Sequence, residues 1–431
     1  MLGINRKLVD YENQGKYIRV GLVGAGQMGR GMVSQIEGMK GIRVVALADI
    51  DIENARNAYL KADIHLTDIV ETDVLEKANI AISSDKVVAT TNANLVTRIP
   101  EVDVVVEATG IPNVGAVVAS SAILNRKHVV MLNVETDVTV GPFLKKMADA
   151  VGVVYTGSAG DEPGAIMELF DFADAVGFEV VALGKGKNNK LNHEANPETA
   201  REEAIQKGAS PKMLASFQDG TKTMVEMTAV ANATGFVPDI DGMHGPTATV
   251  KELPSVIIPK EDGGILSRKR VVEYVNGVAP GVFAIIKTNH PEVDHELQYL
   301  KLGEGPYYVL YRPYHLASLE TPLSIAKAYF DGSPTIAPWY GNVAEAVAVA
   351  KKDLKEGEYL DNIGGFTTYA TILTREQAVK ENALPIGLVD QHIVMTRAVK
   401  KGEIITYDSI HQTKPSTIWS LRELQDNGLI I

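Results

Sequence analysis

Cysteine is absent from this 431-residue sequence, and no uninterrupted apolar run approaches the length of a membrane span. The first absence excludes disulfides, thiolate metal sites and cysteine nucleophiles. It also suits a reducing compartment, so we expect a cytoplasmic protein. The second absence predicts that the chain does not span a membrane. Arg6, Lys7, Asp10 and Glu12 give the N-terminus a charged character that a signal peptide does not have.

The sequence also lacks an excess of basic residues: acidic residues outnumber them, and the formal net charge is −12. This charge argues against nucleic acid or an anionic membrane as a partner, and we expect a small-molecule substrate instead. A chain of this length exceeds one ordinary hydrophobic core. We predict three domains, over residues 1–157, 158–337 and 338–431, and we expect a homo-oligomer.

A glycine-rich turn between a strand and a helix is the strongest local pattern. An apolar run over residues 18–23 predicts a buried strand, and a helical pattern covers about 27–37. The glycines between them have the spacing G-x-G-x-x-G. A second apolar run, over 43–48, ends in Asp49, twenty residues after the third glycine. This arrangement predicts a dinucleotide-binding unit, although a glycine-rich turn in a sheet that binds nothing is the alternative.

Each residue of this pattern has a physical role at a dinucleotide. Gly24 permits the tight turn, Gly26 lets the backbone approach a pyrophosphate, and Gly29 lets helix and strand pack closely. The pyrophosphate is expected on the amides of the helix N-terminus. Asp49 would bind the ribose hydroxyls and repel a 2′-phosphate, which favours NAD. NADP stays possible, because Arg56 or a nearby lysine could bind that phosphate.

Strands and helices then alternate as far as about residue 157, which predicts a Rossmann-type doubly wound parallel sheet in an α/β protein. Asp137 is expected to cap one of its helices. Ligands on such sheets bind beyond the carboxyl ends of the strands. We therefore predict, besides the glycines and Asp49, the following cofactor-binding residues: Gln27, Met28, Thr109, Gly110, Asn133, Glu135 and Gly160.

The pattern changes after residue 157 and again after 337. The middle part reads as an α+β domain that binds the substrate, with a strand over 179–183 followed by a lysine-rich loop. The last part reads as a small β-rich module. Within it, 353–360 resembles 398–405, since each has a basic turn, Gly-Glu and two apolar residues.

The glycine fingerprint and the segments GKGKNNKLNHEANP, FQDGTKTMVEM, GFVPDIDGMHGP, KKDLKEGE and RAVKKGE together carry a family resemblance. The chain resembles homoserine-dehydrogenase-like oxidoreductases with a C-terminal SAF domain. This family includes proteins similar in function to 1-deoxy-D-xylulose 5-phosphate reductoisomerase, and a D-apionate oxidoisomerase. The resemblance implies hydride transfer coupled to rearrangement of a carbon skeleton. The reductoisomerase branch is expected to use NADPH, whereas Asp49 indicates NAD.

Lysines near carboxylates in the middle domain are the candidate catalytic groups. Lys187 and Lys190 lie in the lysine-rich loop and would supply positive charge for a carboxylate, phosphate or alkoxide. Lys222 and Glu226 share a helix face, and Asp219 precedes them. A carboxylate beside lysine suits proton transfer at a hydroxyl. The structural alternative is a solvated basic loop and a capped helix with a surface ion pair.

Asp239, Asp241 and His244 form a D-x-D-x-x-H pattern that could bind a divalent metal. The spacing matches no closed metal site, and aspartates in loops are usually turn residues, so we assign no metal ligand.

We therefore expect an NAD(P)-dependent enzyme that acts on a hydroxyl or keto group of a polyol, sugar acid or sugar phosphate, with isomerisation as a possible second step. A homoserine dehydrogenase is one alternative. Those relatives usually carry a lysine where this chain has Val134-Glu135-Thr136. A non-catalytic NAD-responsive regulator is the other.

Overall fold

The computed structural model describes residues 3–428, which divide into two compact units. Unit 1 comprises residues 3–161, 316–337 and 416–428, and unit 2 comprises residues 162–315 and 338–415. Within the described range, no helix has both the length and the apolar character to cross a bilayer. The division into three domains stays a prediction.

The strands are β1 (Ile18–Val23), β2 (Ile42–Ala48), β3 (Ile69–Glu71), β4 (Val87–Thr90), β5 (Val104–Glu107), β6 (His128–Met131), β7 (Tyr155–Gly157), β8 (Glu179–Lys187), β9 (Val237–Pro238), β10 (Val271–Asn276), β11 (Val282–Lys287), β12 (Tyr307–Arg312), β13 (Ala344–Ala350), β14 (Thr368–Thr374), β15 (Ile393–Met395) and β16 (Ile410–Gln412). The α-helices are α1 (Ile4–Asn13), α2 (Gln27–Glu37), α3 (Ile52–Leu60), α4 (Leu75–Ser83), α5 (Ala93–Arg98), α6 (Pro112–Leu124), α7 (Val134–Val151), α8 (Glu162–Ala175), α9 (Arg201–Lys207), α10 (Pro211–Gln218), α11 (Thr221–Thr234), α12 (Leu253–Val256), α13 (Pro291–Tyr299), α14 (Thr321–Asp331), α15 (Arg375–Lys380) and α16 (Thr417–Asp426).

Unit 1 is built on a parallel sheet with the strand order β3-β4-β2-β1-β5-β6-β7. The chain leaves β1 toward β2 on one side and later returns to β5 on the other, which makes the β1–β5 boundary a topological switch point. The predicted α/β class and its Rossmann-type sheet are confirmed.

The core of unit 1 follows from the apolar strands. Ile18, Val20 and Leu22 alternate along β1 and are fully buried, and Met32 and Ile36, one turn apart on α2, belong to the same cluster. Burying each of these side chains stabilises the fold by about 1.5–3 kcal/mol. Helix α14 also packs in this core through Ile325 and Ala326.

Three elements of unit 1, α7, β3 and α4, differ from the sequence prediction. Asn133, not Asp137, caps α7, because its Oδ1 accepts a hydrogen bond from the Thr136 amide at 3.2 Å. The helix therefore begins four residues earlier than the acid suggested. β3 and α4 were not anticipated; β3 is a three-residue edge strand and has too few residues to show a period.

Unit 2 contains a mixed sheet with the order β12-β11-β8-β10-β9. Its central strand β8 continues to Lys187, so the prediction that the lysine-rich loop begins after residue 183 was wrong. The reason is close packing: a Cβ at Gly184 would lie 2.4 Å from the Glu273 carbonyl oxygen, and one at Gly186 would lie 2.3 Å from the Ala279 nitrogen. These glycines admit neighbouring backbone, and the lysines between and after them alternate onto the opposite face.

The later part of unit 2 is rich in short antiparallel pairs, β13 with β14 and β15 with β16. The two similar segments of the sequence pair with each other. The Leu354 amide donates to the Val399 carbonyl at 2.8 Å, and the return bond is 3.1 Å. A separate β-rich module over 338–431 stays a prediction, because residues 338–415 belong to unit 2 and α16 belongs to unit 1, where it packs on α6 and α7.

Candidate functional site

The glycine turn of unit 1 has the geometry that its spacing predicts. Gly24 has φ +104°, and a Cβ there would lie 2.9 Å from the Ala108 carbonyl. A Cβ at Gly29 would lie 1.9 Å from the Gly24 oxygen. A Cβ at Gly26, in contrast, would meet nothing within 4 Å. Gly24 and Gly29 therefore serve the packing of the chain itself, while Gly26 leaves open space that a pyrophosphate can approach.

The N-terminus of α2 lies beside that space. Gly26 and Gln27 are exposed, Met28 is half-buried, and no side chain caps the helix. The amides of the first turn have no partner within a helix, and together with the helix dipole they favour an anion. The residues present here fit the pyrophosphate of a dinucleotide.

Asp49 lies at the end of β2 and is bonded to the glycine turn. Its Oδ2 accepts from the Ala25 amide at 2.7 Å, and its Oδ1 accepts from the Asp51 amide and from Asn54 Nδ2, both at 3.1 Å. The carboxylate is half-buried and is fixed in direction. This position suits a ribose diol, and its negative charge disfavours a phosphate on the same sugar.

The remaining predicted cofactor residues follow the carboxyl ends of β5, β6 and β7. Thr109 and Gly110 follow β5, and Gly110 has φ +67°. Asn133 and Glu135 are buried at the start of α7. A Cβ at Gly160 would lie 2.2 Å from the Ala317 oxygen, so glycine is needed there for packing. The sheet topology brings these loops to one edge, and their contact with a cofactor stays a prediction.

Glu107 is a residue of this edge that the sequence analysis missed. It ends β5, is fully buried, and accepts hydrogen bonds from the Thr109 amide at 2.9 Å and from the Thr109 hydroxyl. Burial raises the pKa of Glu107 to about 7, against the opposing effect of these bonds. The sequence feature that could have identified Glu107 is an acidic residue at the end of an otherwise apolar strand.

A buried lysine between two carboxylates forms a charged cluster in unit 2. Lys185 Nζ lies 2.6 Å from Glu162 Oε1 and also donates to Glu226. Burial alone would lower the pKa of Lys185, but the two carboxylates outweigh it and raise that pKa. Burial and the charge of Glu162 raise the pKa of Glu226. Glu162 and Glu226 both pair with the single ammonium of Lys185. Because two carboxylates repel each other beside one positive charge, one of them binds a proton readily.

Lys187 follows two residues later on the same face of β8. Its side chain is 6% exposed, and its Nζ donates to the Phe217 carbonyl at 2.7 Å. Burial, together with the nearby Lys185 charge, lowers the pKa of Lys187 to about 8. Lys187 is thus an amine that gains and loses a proton near neutral pH.

The other predicted catalytic residues lie in three different environments. Asp219 is fully buried and bonded to Lys351, at 2.8 Å, as well as to the Thr221 amide, at 2.9 Å. Lys222 is half-buried on α11, and its charge lowers the pKa of Glu226, four residues on, against the larger effect of burial. Lys190 is exposed beyond β8. Their catalytic roles stay predictions.

The D-x-D-x-x-H pattern does not gather ligands for a metal. Asp239 accepts from the Ser267 amide at 2.8 Å and from its hydroxyl, while Asp241 is exposed. His244 Nδ1 lies 2.8 Å from Glu273 Oε2. In the described part of the chain, Asp239, Asp241 and His244 do not bring three ligand atoms within 4.8 Å of one another. A divalent metal at this pattern is not supported.

Comparison with known families gives one match. Residues 160–321 match the model of a family described as "Oxidoreductase DRL, catalytic domain". This part of the chain is therefore similar to an oxidoreductase catalytic domain, and it contains Lys185, Lys187, Asp219 and Glu226. No curated protein matches the chain. Membership in the homoserine-dehydrogenase-like family, and the SAF identity of the tail, stay predictions.

Solved structures provide remote likenesses. A protein described as a probable dehydrogenase from Thermotoga maritima has 12% identity over 73% of this chain and 90% of its own, with a TM-score of 0.42. The myo-inositol dehydrogenase of Lactobacillus casei, with NAD(H) and myo-inositol, has 14% identity over 70% and 68%, with a TM-score of 0.33. The function proposed below rests on residues of this chain instead.

Proposed function

We propose that this protein is an NAD-dependent oxidoreductase acting on a hydroxyl or keto carbon of a small polyol, sugar acid or sugar phosphate. The cofactor assignment is supported by the open approach at Gly26, the uncapped start of α2 and the carboxylate of Asp49. The match of residues 160–321 to an oxidoreductase catalytic domain supports the reaction class. Gly160, the last predicted cofactor residue, precedes Glu162 by two positions, so the two sets of residues are consecutive in the chain.

The Lys187 amine is the observation that carries the proposal. At pH 7 an ordinary lysine is neutral in about one molecule in 2,500, whereas a pKa of about 8 leaves about one in ten neutral. A general acid or base acts best when its pKa lies near the working pH. The neighbouring Lys185 stays charged between its two carboxylates and acts on Lys187 as a fixed positive charge.

In the oxidation direction, the neutral Lys187 amine accepts the proton of the substrate hydroxyl. A dinucleotide held at Gly26, the start of α2 and Asp49 would supply the hydride acceptor for the carbon that carries this oxygen. In the reduction direction, the Lys187 ammonium returns the proton to the oxygen.

Isomerisation coupled to the hydride transfer is a second candidate. A simple hydride transfer needs one acid–base group, but this chain places a second proton-holding cluster, Lys185 with Glu162 and Glu226, two residues along the strand from Lys187. Such a cluster suits a rearrangement that passes through an enolate or alkoxide. Carbon-13 NMR of the product distinguishes the two: an unchanged carbon skeleton contradicts the second candidate.

A reduction screen tests the proposed activity. NAD+ and NADP+ are offered separately with polyols, sugar acids, sugar phosphates and homoserine, and formation of the reduced nicotinamide is followed at 340 nm. We expect NAD+ to react with a polyol or sugar acid and NADP+ to react more slowly, because Asp49 repels the extra phosphate. Oxidation of homoserine alone would favour a homoserine dehydrogenase. Tight NAD+ binding without transfer to any compound would overturn the proposal and favour a regulator.

Replacement of Lys187 tests the acid–base role. Lys187→Met is expected to lower kcat by about 10²- to 10⁴-fold and to leave the Kd of NAD+ unchanged. Lys207→Met is the matched control, since the Lys207 side chain is 55% exposed and its ammonium pairs with Glu203 on the same helix face of α9. Near-normal turnover of Lys187→Met would remove this residue from the mechanism.

A further inference from the structure

Lys351 is a buried lysine in the later, β-rich part of unit 2, outside the range that matches the catalytic-domain family. It follows β13, is 6% exposed, and has three partners. Its Nζ lies 2.8 Å from Asp219 Oδ2, 2.7 Å from the Ala195 oxygen and 2.9 Å from the Gly365 oxygen. An ammonium has three donors, so every one of them is used.

These partners belong to three separate segments of the chain. Ala195 follows β8, Gly365 precedes β14, and Asp219 lies in the turn between α10 and α11. A hydrogen bond and a glycine define the conformation of the turn. Asp219 Oδ1 accepts from the Thr221 amide at 2.9 Å, and Gly220 has φ +91°, which favours glycine. One ammonium therefore fixes the α10–α11 turn against both other segments.

The last turn of α10, directly before this α10–α11 turn, contacts the proposed acid–base residue. Phe217, two residues before Asp219, supplies the carbonyl to which Lys187 Nζ donates. We propose that Lys351 is a positioning residue for the Lys187 amine, acting through Asp219 and the α10–α11 turn. This inference rests on the proposed function, and it assigns the later, β-rich part of unit 2 a role in positioning a catalytic side chain.

The charges around Lys187 add a second effect. Lys185 on β8, Glu226 on α11 and Asp219 in the turn act on the Lys187 amine. His193 also meets this turn, since its Nδ1 lies 3.0 Å from the Asp219 carbonyl oxygen. The Lys351 charge offsets Asp219. Without Lys351, the uncompensated Asp219 carboxylate favours the Lys187 ammonium and raises the pKa of Lys187.

Lys351→Met in the full chain tests the inference, with Lys352→Met as the matched control. Lys352 is the adjacent residue, 50% exposed, and its ammonium pairs with Glu358 at 2.6 Å. We expect Lys351→Met to lower kcat by up to about 100-fold, because a small displacement of the amine is costly. We also expect the pH midpoint for oxidation to rise by roughly one unit, and the Kd of NAD+ to stay unchanged. A wild-type kcat and midpoint in Lys351→Met would overturn the inference.

Two further measurements cover failure of folding and failure of the proposed function. If Lys351→Met does not fold, Asp219→Asn with Lys351→Met removes both buried charges, and a wild-type kcat in this double variant would overturn the inference. If the wild type reduces no cofactor, the proposed function has failed on its own. Competitive acetylation, mapped by mass spectrometry, then gives the pKa of Lys187 without any substrate. A rise in Lys351→Met but not in Lys352→Met supports the inference, and no rise contradicts it.

Discussion

A side chain of the last helix completes the hydrogen bonding of α7 next to a proline. Pro142 lies inside α7 and has no N–H to donate. Beside it, Gln425 of α16 uses both ends of its amide. Its Oε1 accepts from the Phe143 amide at 3.0 Å, and its Nε2 donates to the Thr139 oxygen at 3.1 Å. Arg422 also donates to that oxygen, at 3.2 Å. α7 begins at the predicted cofactor loop, so these bonds support the site.

Gln425→Ala removes both of these bonds. Thr139 keeps the bond from Arg422, but the Phe143 amide loses the Gln425 acceptor. A lost hydrogen bond costs about 1 kcal/mol, and a buried group left unsatisfied costs about 1–3 kcal/mol, so we expect a loss of about 2 kcal/mol in the free energy of unfolding. For a unit of this size, that loss lowers Tm by roughly 4–8 °C.

Thermal unfolding followed by circular dichroism, with and without NAD+, measures the effect. Glu423→Ala is the matched control, because Glu423 is exposed on the same helix. Gln425→Glu keeps the acceptor and removes the donor, so we expect a smaller decrease than for Gln425→Ala. If Gln425→Ala and Glu423→Ala melt at the same temperature, the amide of Gln425 does not support α7.

Two further predictions concern the glycine turn and a half-buried histidine. Gly26→Ala should leave Tm unchanged and weaken NAD+ binding, whereas Gly29→Ala should lower Tm, because its Cβ would lie 1.9 Å from a backbone oxygen; equal effects in melting and titration experiments would contradict this. The bond to Glu273 raises the pKa of His244, whose Nε2 also lies 3.5 Å from a second carboxylate. A raised folded-state pKa gives stability that is complete below the ordinary histidine pKa of about 6.5 and is lost as pH rises through the folded value. The difference in unfolding free energy between wild type and His244→Gln should therefore shrink from pH 6 to pH 9, and a constant difference in chemical denaturation would refute it.

Local sequence was sufficient to predict the position of a residue whose contacts lie within its own strand, turn or helix. The G-x-G-x-x-G turn and Asp49 were predicted correctly in position, because strand, turn and helix are adjacent in the chain and their geometry is set by φ and by the missing Cβ atoms. The start of α7 was misplaced by four residues, because Asn133 and Asp137 are both good capping residues and only the strand end decides between them.

The burial and charge pairing of the lysines at the candidate catalytic site could not be predicted from neighbouring residues. Lys187 was selected from its sequence neighbours, but its lowered pKa depends on burial and on Lys185. Lys185 was not selected as a catalytic residue, because Glu162 and Glu226, the two carboxylates that pair with it, lie 23 and 41 residues away in the sequence. No periodic pattern connects such positions.

The sequence by itself determined the α/β class, the nucleotide fingerprint and the absence of thiol chemistry, since each of these depends on residue type and on short-range spacing. Tertiary structure alone decided which lysine is buried beside which carboxylate, and that Lys351 meets Asp219 from 132 positions away. The physical reason is that burial and charge pairing are set by every segment packed around a group. These segments meet only when the chain folds.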